Sequence, residues 1–253
     1  MRIAFTRREA ARRGDIWLID PERGVTTRLT RNNASNAIWS PDGQRVAYAR
    51  NAPPNIFVKN VDGTGQEERL TESGNSQQLC DWSPDGRFVL YSELPNELGA
   101  QTHSALWLVS VTGERKPMPV LQAPFGETNG RFSPDGNWIA YTSDESGSKE
   151  IYVQRFTSDG AKVHVSARGG DLAVWRKDGR ELFYISPGGM LMSVAVSADG
   201  AAPRFGTPAP LFNIGISYDV SADGQRFLAL TPVDEREASP MTVVSNWQAL
   251  LNK

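Results

Sequence analysis

The stretch Trp39-Ser40-Pro41-Asp42-Gly43 decides the fold, because its Asp-Gly pair recurs along the chain in the same setting. The other copies are Trp82-Ser83-Pro84-Asp85-Gly86, Phe132-Ser133-Pro134-Asp135-Gly136, Trp175-Arg176-Lys177-Asp178-Gly179 and Val220-Ser221-Ala222-Asp223-Gly224. Successive aspartates of these copies lie 43, 50, 43 and 45 residues apart. That period is typical of a four-stranded propeller blade and not of a helical solenoid or a leucine-rich repeat.

Each copy predicts a tight hairpin corner. Proline presets φ for the second position of a type I turn, aspartate accepts a local backbone hydrogen bond, and glycine takes the left-handed conformation. One aspartate at the same corner of every blade cannot converge with the others on one ion in a radial array. The five aspartates are therefore predicted to be structural, and not metal ligands or paired acids.

Four short strands are predicted around each corner. The strand after the corner, such as Arg45-Val46-Ala47-Tyr48, is apolar on both faces, as expected where neighbouring sheets cover it on each side. A third strand such as Ile56-Phe57-Val58 follows, and after a glycine a fourth such as Arg69-Leu70-Thr71. We predict an all-β, six-bladed β-propeller of four-stranded antiparallel blades in one domain, residues 1–253. Only the tail from Trp247 to Lys253 has room for a helical turn.

The first and last blades are predicted to be incomplete. Arg2-Ile3-Ala4-Phe5 matches the strand that follows a corner, whereas Thr242-Val243-Val244 matches a third strand with too few residues after it for a fourth. Propellers commonly close by pairing an N-terminal strand with the last blade, which seals edges that would otherwise aggregate. We therefore expect the chain to be a piece of a longer protein, or a gene product that starts late.

Composition restricts the partners. The chain has 253 residues, 39% of them hydrophobic, and a formal net charge of −2, so it has no general basic field for nucleic acid. No apolar run has the length of a membrane span, and the start is not a secretion signal, so no membrane contact by this segment is predicted. The arginines at 7, 8, 12 and 13 are predicted to lie in a solvated loop, with a phosphate or acidic-partner patch as the alternative.

The single cysteine, Cys80, excludes an intrachain disulfide. It occupies the repeat position filled elsewhere by Ala37, Gly130 and Ala173. We interpret it as a small buried residue and not as a nucleophile.

The repeat resembles the TolB-like branch of β-propellers, whose unit reads W-S-P-D-G, then an apolar-aromatic strand, then an Ile-Tyr type strand ending at glycine. Residues 40–48, 83–91 and 133–141 match this unit in full. The C-terminal stretch from Pro240 to Trp247, closing at Leu250-Leu251-Asn252-Lys253, also resembles propeller halves behind bacterial receptor serine/threonine kinases and winged-helix regulators. These resemblances imply a protein-binding, non-catalytic sensor module. Its location would be periplasmic or extracytoplasmic within a receptor, and otherwise cytoplasmic.

Catalytic signatures are lacking in the sequence. It contains no G-x-S-x-G nucleophile elbow, glycine-rich phosphate loop, kinase signature or zinc spacing. Its two histidines are His103, predicted in a loop of the third blade, and His164, predicted in the fourth strand of the fourth blade. No catalytic residue, metal ligand or cofactor is predicted. A lyase or hydrolase with a metal at the channel mouth remains the alternative, because single loop residues can build a propeller active site.

The candidate ligand-binding residues lie where the chain enters the first strand of each blade. In propellers these entering loops surround the mouth of the central channel. Asn36, Gln78, Asn129, Asp171 and Ser217 recur at the mouth end of the first strands. Asp81, Arg131 and Asp219 share the position four residues before the corner aspartate and are predicted to line the channel. These eight residues are predicted to bind a protein or peptide. The long loop of residues 92–104 offers a further partner contact.

Overall fold

The computed structural model describes residues 2–8, 14–31, 33–51, 54–95, 103–121, 123–156, 162–197, 202–215, 217–230 and 241–245. In those residues the regular secondary structure is β-strand, and the strands pair in six antiparallel sheets, which confirms the all-β prediction. No helix in this part of the chain is long and apolar enough to cross a membrane. The predicted helical turn after Trp247 lies outside the described residues.

The chain divides into two compact units, Met1–Gly130 and Arg131–Lys253. In the first unit, one sheet has the order β1 (Ile3–Arg8), β2 (Gly14–Asp20), β3 (Val25–Arg28). The next has the order β4 (Ala34–Trp39), β5 (Arg45–Asn51), β6 (Pro54–Asn60), β7 (Glu68–Arg69). A third has the order β8 (Ser76–Trp82), β9 (Phe88–Leu94), β10 (Ala105–Ser110), β11 (Met118–Leu121).

The chain passes into the second unit within β12 (Glu127–Phe132), which begins the sheet order β12, β13 (Trp138–Ser143), β14 (Glu150–Arg155), β15 (Val163–His164). The next sheet contains β16 (Asp171–Trp175), β17 (Glu181–Ile185), β18 (Met190–Ser197), β19 (Arg204–Phe205) and β20 (Ala209–Asn213). The last sheet has the order β21 (Ser217–Val220), β22 (Arg226–Leu230), β23 (Met241–Ser245). Within the described residues the two terminal sheets have three strands each, the number predicted.

The sheet that starts at β16 differs from the predicted four strands. Both β19 and β20 pair with β18, through Val196↔Phe205 and Ser193↔Ala209, so two short strands in succession occupy the fourth position. The interruption is Gly206-Thr207-Pro208. Proline has no N–H to donate to the ladder, which explains the break.

The corners have the predicted geometry. At the first corner the Gly43 N–H donates to the Ser40 carbonyl at 2.9 Å, and the Arg45 N–H donates to Ser40 Oγ at 2.9 Å. Asp42 Oδ1 accepts from the backbone of Gln44 at 3.0 Å, and the Ser40 hydroxyl and this N–H lower the pKa of Asp42 below its ordinary 3.8. The corner glycines at 43, 86, 136, 179 and 224 have φ between 68° and 76°. The predicted turn geometry is therefore confirmed at these corners.

Serine is absent from the fourth corner, where an ion pair replaces its hydrogen bond. The Arg176 guanidinium lies 2.9 Å from Asp178, while the Arg180 N–H donates to the same carboxylate at 3.1 Å. The backbone bond from Gly179 to the Arg176 carbonyl is kept at 2.9 Å. The turn therefore needs the Asp-Gly pair more than it needs the serine.

The strand after each corner packs on both faces, as predicted. In β5, Val46 and Tyr48 belong to a core shared with the sheet of β1, while Ala47 and Ala49 belong to a core shared with the sheet of β8. All four are at most 3% exposed. In the second unit, β17 divides its side chains between two cores in the same way.

Bulges interrupt the first strands. The register shifts between Ser35 and Ile38 in β4, and comparable shifts occur in β8, between Leu79 and Asp81, and in β16. The skipped residues include Ala37, Cys80 and Ala173, the small residues of one repeat position. Cys80 is 3% exposed, which confirms that it is a small buried residue. At the corresponding Gly130, an added Cβ would lie 2.7 Å from Leu90 Cδ2, so a neighbouring sheet limits side-chain size here.

The fourth strands end earlier than predicted. β3 ends at Arg28, before the predicted Leu29-Thr30, because the Thr30 hydroxyl rather than a strand partner accepts from the Ile16 N–H at 2.9 Å. Thr71 accepts from the Ile56 N–H at 2.9 Å in the same way. A side chain thus completes the backbone bonding of the third strand.

Candidate functional site

A polar groove of about 300 Å³ lies in the first unit. Side chains from four strands line it: Thr6 and Arg8 of β1, Ser35 and Asn36 of β4, Ala49 of β5, and Gln77 and Gln78 of β8. Two of the predicted ligand-binding residues, Asn36 and Gln78, therefore lie together. We call this the β1 groove.

Asn36 fixes the floor of the β1 groove. It has φ of 55° beside the β4 bulge, a left-handed conformation that asparagine tolerates better than most residues. Its N–H donates to Thr6 Oγ1 at 3.2 Å and its Nδ2 donates to the Leu79 carbonyl at 2.9 Å. Asn36 thus connects β1, β4 and β8. Bulges are frequent beside functional sites, and Asn36 lies in one.

The buried side of the groove is held by a closed set of hydrogen bonds. Gln77 is 8% exposed, accepts from the Thr71 hydroxyl at 2.6 Å and donates Nε2 to Glu93 at 2.6 Å. Asn75 Nδ2 also donates to Glu93, at 2.8 Å. The Glu93 carboxylate therefore accepts hydrogen bonds from two side-chain amides.

Two groove side chains keep their hydrogen-bonding capacity. Arg8 and Gln78 are exposed, and neither side chain makes a hydrogen bond or ion pair with any residue that the structure describes. The lining residues include one cation and no carboxylate. The groove can therefore accept carbonyl oxygens at Gln78 and an anionic group at Arg8.

The placement of the arginines corrects the sequence interpretation. Arg7 and Arg8 belong to β1 and not to a loop, because β1 continues to pair with β2 as far as Arg8↔Gly14. The Arg7 guanidinium lies 5.3 Å from the centre of the Trp17 ring, which supports the strand end. The arginines at 12 and 13 lie outside the described residues.

A second group of interest lies in the second unit and contains Arg131, Tyr218 and Asp219. Neighbouring protein atoms raise the pKa of Asp219 by desolvation, against the Arg131 charge and the Val220 N–H, and because the residue is exposed, contact with water limits that rise. Burial likewise raises the pKa of Tyr218, whose hydroxyl donates to the Leu172 carbonyl at 3.0 Å. Two predicted residues, Arg131 and Asp219, are thus brought together.

Asp171 is occupied by local contacts. Its carboxylate accepts from the Thr142 hydroxyl at 2.9 Å and the Leu172 N–H at 2.9 Å, and pairs with Lys149 at 2.8 Å. These bonds hold Leu172 at φ of 56°, which is unusual for a leucine. The role of Asp171 in binding a ligand stays a prediction.

The remaining predicted residues do not line the β1 groove. Asp81 accepts from the Trp82 N–H at 2.9 Å, Asn129 has φ of 54° in β12, and Ser217 is half-buried opposite Leu230. Their binding roles also stay predictions. The sequence reasoning did not single out Thr6, Ser35 and Gln77, because contacts between separate strands bring them to the groove. Arg8 was considered only as part of a possible phosphate or acidic-partner patch.

The histidines lie where they were predicted. His103 is exposed just before β10, and His164 is in β15, stacked on Tyr152 with ring centres 5.0 Å apart. His164 Nε2 lies 3.4 Å from the Glu150 carboxylate. In the part of the chain that the structure describes, no three His, Cys, Asp or Glu residues are grouped so as to hold a metal ion.

Comparison with known sequences gives partial matches. Residues 7–83 match the family described as the dipeptidyl peptidase IV N-terminal region. Uncharacterized protein Atu1656 of Agrobacterium fabrum is 27% identical over 67% of this chain and 61% of its own. Tricorn protease homolog 1 of Streptomyces coelicolor is 26% identical over 80% of this chain and 23% of its own length. Tol-Pal system protein TolB of Bordetella pertussis is 30% identical over 45% of this chain and 25% of its own length. The chain spans less than two thirds of each relative.

Solved structures share the fold. TolB from Acinetobacter baumannii superposes with a TM-score of 0.76 at 19% identity, covering 97% of this chain and 61% of that one. The Swd1 β-propeller domain of Myceliophteria thermophila superposes with a TM-score of 0.59 at 13% identity, covering 97% of this chain and 86% of that one. An oligogalacturonate lyase in complex with manganese superposes with a TM-score of 0.68 at 16% identity, covering 98% of this chain and 72% of that one. The chain therefore has a TolB-like β-propeller fold.

Proposed function

We propose that this chain is a non-catalytic binding module of a six-bladed β-propeller, and that it recognises a protein or peptide partner. The observation that carries the proposal is the β1 groove, where Arg8 and Gln78 leave their hydrogen-bonding groups unused beside the fixed Asn36. An amide and a guanidinium suit the carbonyl and carboxylate groups of a polypeptide.

The proposed setting is an extracytoplasmic one, as the sensing part of a bacterial envelope receptor. The likeness to TolB supports it, since the relative is named as part of the Tol-Pal system. The resemblance of the C-terminal stretch to receptor-kinase propellers supports the receptor in particular. Neither nucleic acid nor direct membrane contact by this segment is part of the proposal.

The test is a pull-down from bacterial envelope extract with the purified chain as bait. The test variant carries Arg8→Ala and Gln78→Ala, and the control carries Glu114→Ala and Lys116→Ala, two exposed residues of the same unit. We expect the test variant to lose partners that both the original chain and the control retain. Recovery of the same partners by the test variant would contradict binding through the β1 groove.

Asn129 and Asp171 are tested separately, because Asp171 is bonded to Thr142 and Lys149 and its removal is expected to disturb the fold locally. Each alanine variant is therefore compared for unfolding midpoint and for partner recovery. Loss of partners at an unchanged midpoint would add the residue to the binding site. Unchanged recovery would remove it.

A second candidate function is that of a lyase or hydrolase with a metal at the channel mouth. The likeness to Tricorn protease homolog 1 and to the manganese-bound oligogalacturonate lyase favours it. Shifted pKa values at Tyr218 and Asp219 also favour it, since such shifts cluster at reactive sites. Stoichiometric manganese in the purified protein, with cleavage of oligogalacturonate that Asp219→Asn abolishes, would replace the binding proposal with this one.

A further inference from the structure

The chain that leads into β8 has an alternating arrangement of residues. Residues 72, 74, 76 and 78 are exposed. Each of them follows a residue whose polar groups make hydrogen bonds within the first unit: Thr71, Ser73, Asn75 and Gln77. We call residues 72–78 the mouth segment, because it contains the predicted ligand-binding residue Gln78.

A buried amide anchors the first half of the mouth segment. Asn55, which is 2% exposed, accepts from the Ser73 N–H at 2.9 Å. Ser73 Oγ in turn accepts from the Asn75 N–H at 3.0 Å. Both donors are backbone groups, so these two bonds restrict the path of the chain between Ser73 and Asn75.

Glu93 anchors the second half of the mouth segment. It lies directly opposite Gln77 in the pairing of β8 with β9. Glu93 Oε1 accepts from Asn75 Nδ2 at 2.8 Å, and Glu93 Oε2 accepts from Gln77 Nε2 at 2.6 Å. Hydrogen bonds to an ionised carboxylate are stronger than those between neutral groups. Glu93 therefore holds two residues of the segment at once, one with each oxygen.

The amide of Gln77 has a fixed orientation between two partners. The Thr71 hydroxyl accepts from the Ile56 N–H at 2.9 Å and donates its own proton to Gln77 Oε1 at 2.6 Å. The nitrogen of the Gln77 amide then faces Glu93. A flipped amide would place oxygen against the carboxylate, so both partners select the same orientation.

We propose that Glu93 is a positioning residue for partner recognition, and that the mouth segment presents Ser76 and Gln78 to the partner in a preformed arrangement. Side chains alternate along an extended chain, so holding Asn75 and Gln77 against Glu93 turns Ser76 and Gln78 outward. Their hydroxyl and amide suit the carbonyl and N–H groups of a polypeptide. A segment that is ordered before binding loses less conformational entropy on binding. This inference rests on the proposed binding function and adds Ser76 and Glu93 to it.

A donor–acceptor swap between positions 75 and 93 tests this role. Asn75→Asp places a second carboxylate against Glu93, and Glu93→Gln leaves one acceptor oxygen for two amide donors. In the swap variant, which carries both changes, the new amide donates to the new carboxylate and its oxygen accepts from Gln77. Both hydrogen bonds are then restored, with the net charge of the original chain.

Hydrogen exchange at the Ser73 N–H measures the order of the segment without a partner. We expect this N–H to exchange about tenfold faster in Asn75→Asp than in the original chain, because repulsion opens the segment. The swap variant should return to within about twofold of the original rate. An unchanged rate in Asn75→Asp and in Glu93→Gln would show that the segment does not depend on Glu93, and would overturn the proposal.

Partner recovery measures the consequence for binding, with bacterial envelope extract as the probe. We expect about tenfold lower recovery with Asn75→Asp and restored recovery with the swap variant. Ser76→Ala should lower recovery while the Ser73 exchange rate stays unchanged. The matched control is Asn137→Asp, because Asn137 Nδ2 donates to Asp135 at 2.7 Å in the second unit and the change creates the same repulsion there. Equal losses with the control, or a loss that the swap variant does not restore, would overturn the proposal.

The proposed function and this inference can fail separately. If Arg8→Ala with Gln78→Ala removes envelope partners while Asn75→Asp keeps them, binding through the β1 groove holds and the positioning role of Glu93 is wrong. If Arg8→Ala with Gln78→Ala keeps every partner while Asn75→Asp loses them and the swap variant restores them, Glu93 positions the segment and the groove is not the binding site. An extract from which the original chain recovers no partner contradicts both.

Discussion

At the scale of single residues, Asp85 shows what a corner aspartate contributes. It accepts from the Ser83 hydroxyl at 2.6 Å and from the Arg87 N–H at 3.0 Å. We expect Asp85→Ala to lower the free energy of unfolding by about 0.5–2 kcal/mol, measured by urea denaturation, because local hydrogen bonds are lost. Asp85→Asn keeps an acceptor and should lose less. A bound ion that disappears in Asp85→Ala at unchanged stability would contradict the structural role.

The corner aspartates also give stability a pH dependence. The Ser40 hydroxyl and the Gln44 N–H lower the pKa of Asp42 in the folded chain, so the ionised form is favoured by folding. This contribution is complete above the unfolded pKa, near 3.8, and is lost as the pH falls through the lower folded value. We expect Asp42→Asn to flatten the decline of unfolding free energy between about pH 5 and pH 2. A decline as steep as that of the original chain would contradict the assignment.

Cys80 tests the size limit at the bulges. It is 3% exposed at a position where the corresponding Gly130 has no room for a Cβ without moving Leu90. Cys80→Ala should cost less than about 1.5 kcal/mol, since it adds no volume, whereas Cys80→Leu should cost about 1–3 kcal/mol by overpacking. Thermal unfolding of the two variants measures the difference. A leucine variant as stable as the alanine variant would show that the site has spare volume.

At the scale of elements, short fourth strands rely on a hydroxyl. Thr71 is 3% exposed; its Oγ1 accepts from the Ile56 N–H and donates to Gln77. Thr71→Val keeps the shape but leaves a buried N–H without its acceptor, which should cost about 1–3 kcal/mol in chemical denaturation. Thr26→Val, on the exposed β3 of the first sheet, is the matched control and should be neutral within about 0.5 kcal/mol. Equal effects of the two changes would exclude this role.

Elements were predicted well where the signal is local. Asp42-Gly43 and its copies predict the corners, and the apolar run at Val46 predicts the strand after them, because turn chemistry and burial act on neighbouring residues. The end of β3 at Arg28 was not predicted, because the hydroxyl of Thr30 competes with a strand partner for the Ile16 N–H. Such a competition depends on a contact across the sheet.

At the scale of the whole molecule, the all-β composition is directly measurable. We expect the far-ultraviolet circular dichroism spectrum of the purified chain to show β-structure and little helix, since strand is the regular secondary structure of the described residues. A spectrum with substantial helix would contradict the repeat interpretation. The control is the same measurement after thermal unfolding, which should remove the β signal.

The candidate site was only partly predictable at this scale. Asn36 and Gln78 were found because polar residues recur where the chain enters each first strand. Arg8 was placed in a loop, with a phosphate or acidic-partner patch as the alternative, because the sequence does not show that β1 brings it beside residues of β4, β5 and β8. The repeat pattern predicts the residues that all blades have in common, whereas a binding site is formed by residues that differ from blade to blade.

The two-faced packing of β5 has a consequence for folding fidelity. In a strand with one apolar face, a register slip of one residue exposes that face to water and costs free energy. Residues 46–49 of β5 are buried on both faces, so the same slip exposes little apolar surface and costs much less. The register of the hairpin then depends on the hydrogen bonds between Ser40 and Arg45, because these form only when the two strands are correctly aligned. Changes at the corner serine should therefore appear as misaligned or aggregated product during refolding, even where the correctly folded molecule loses little stability.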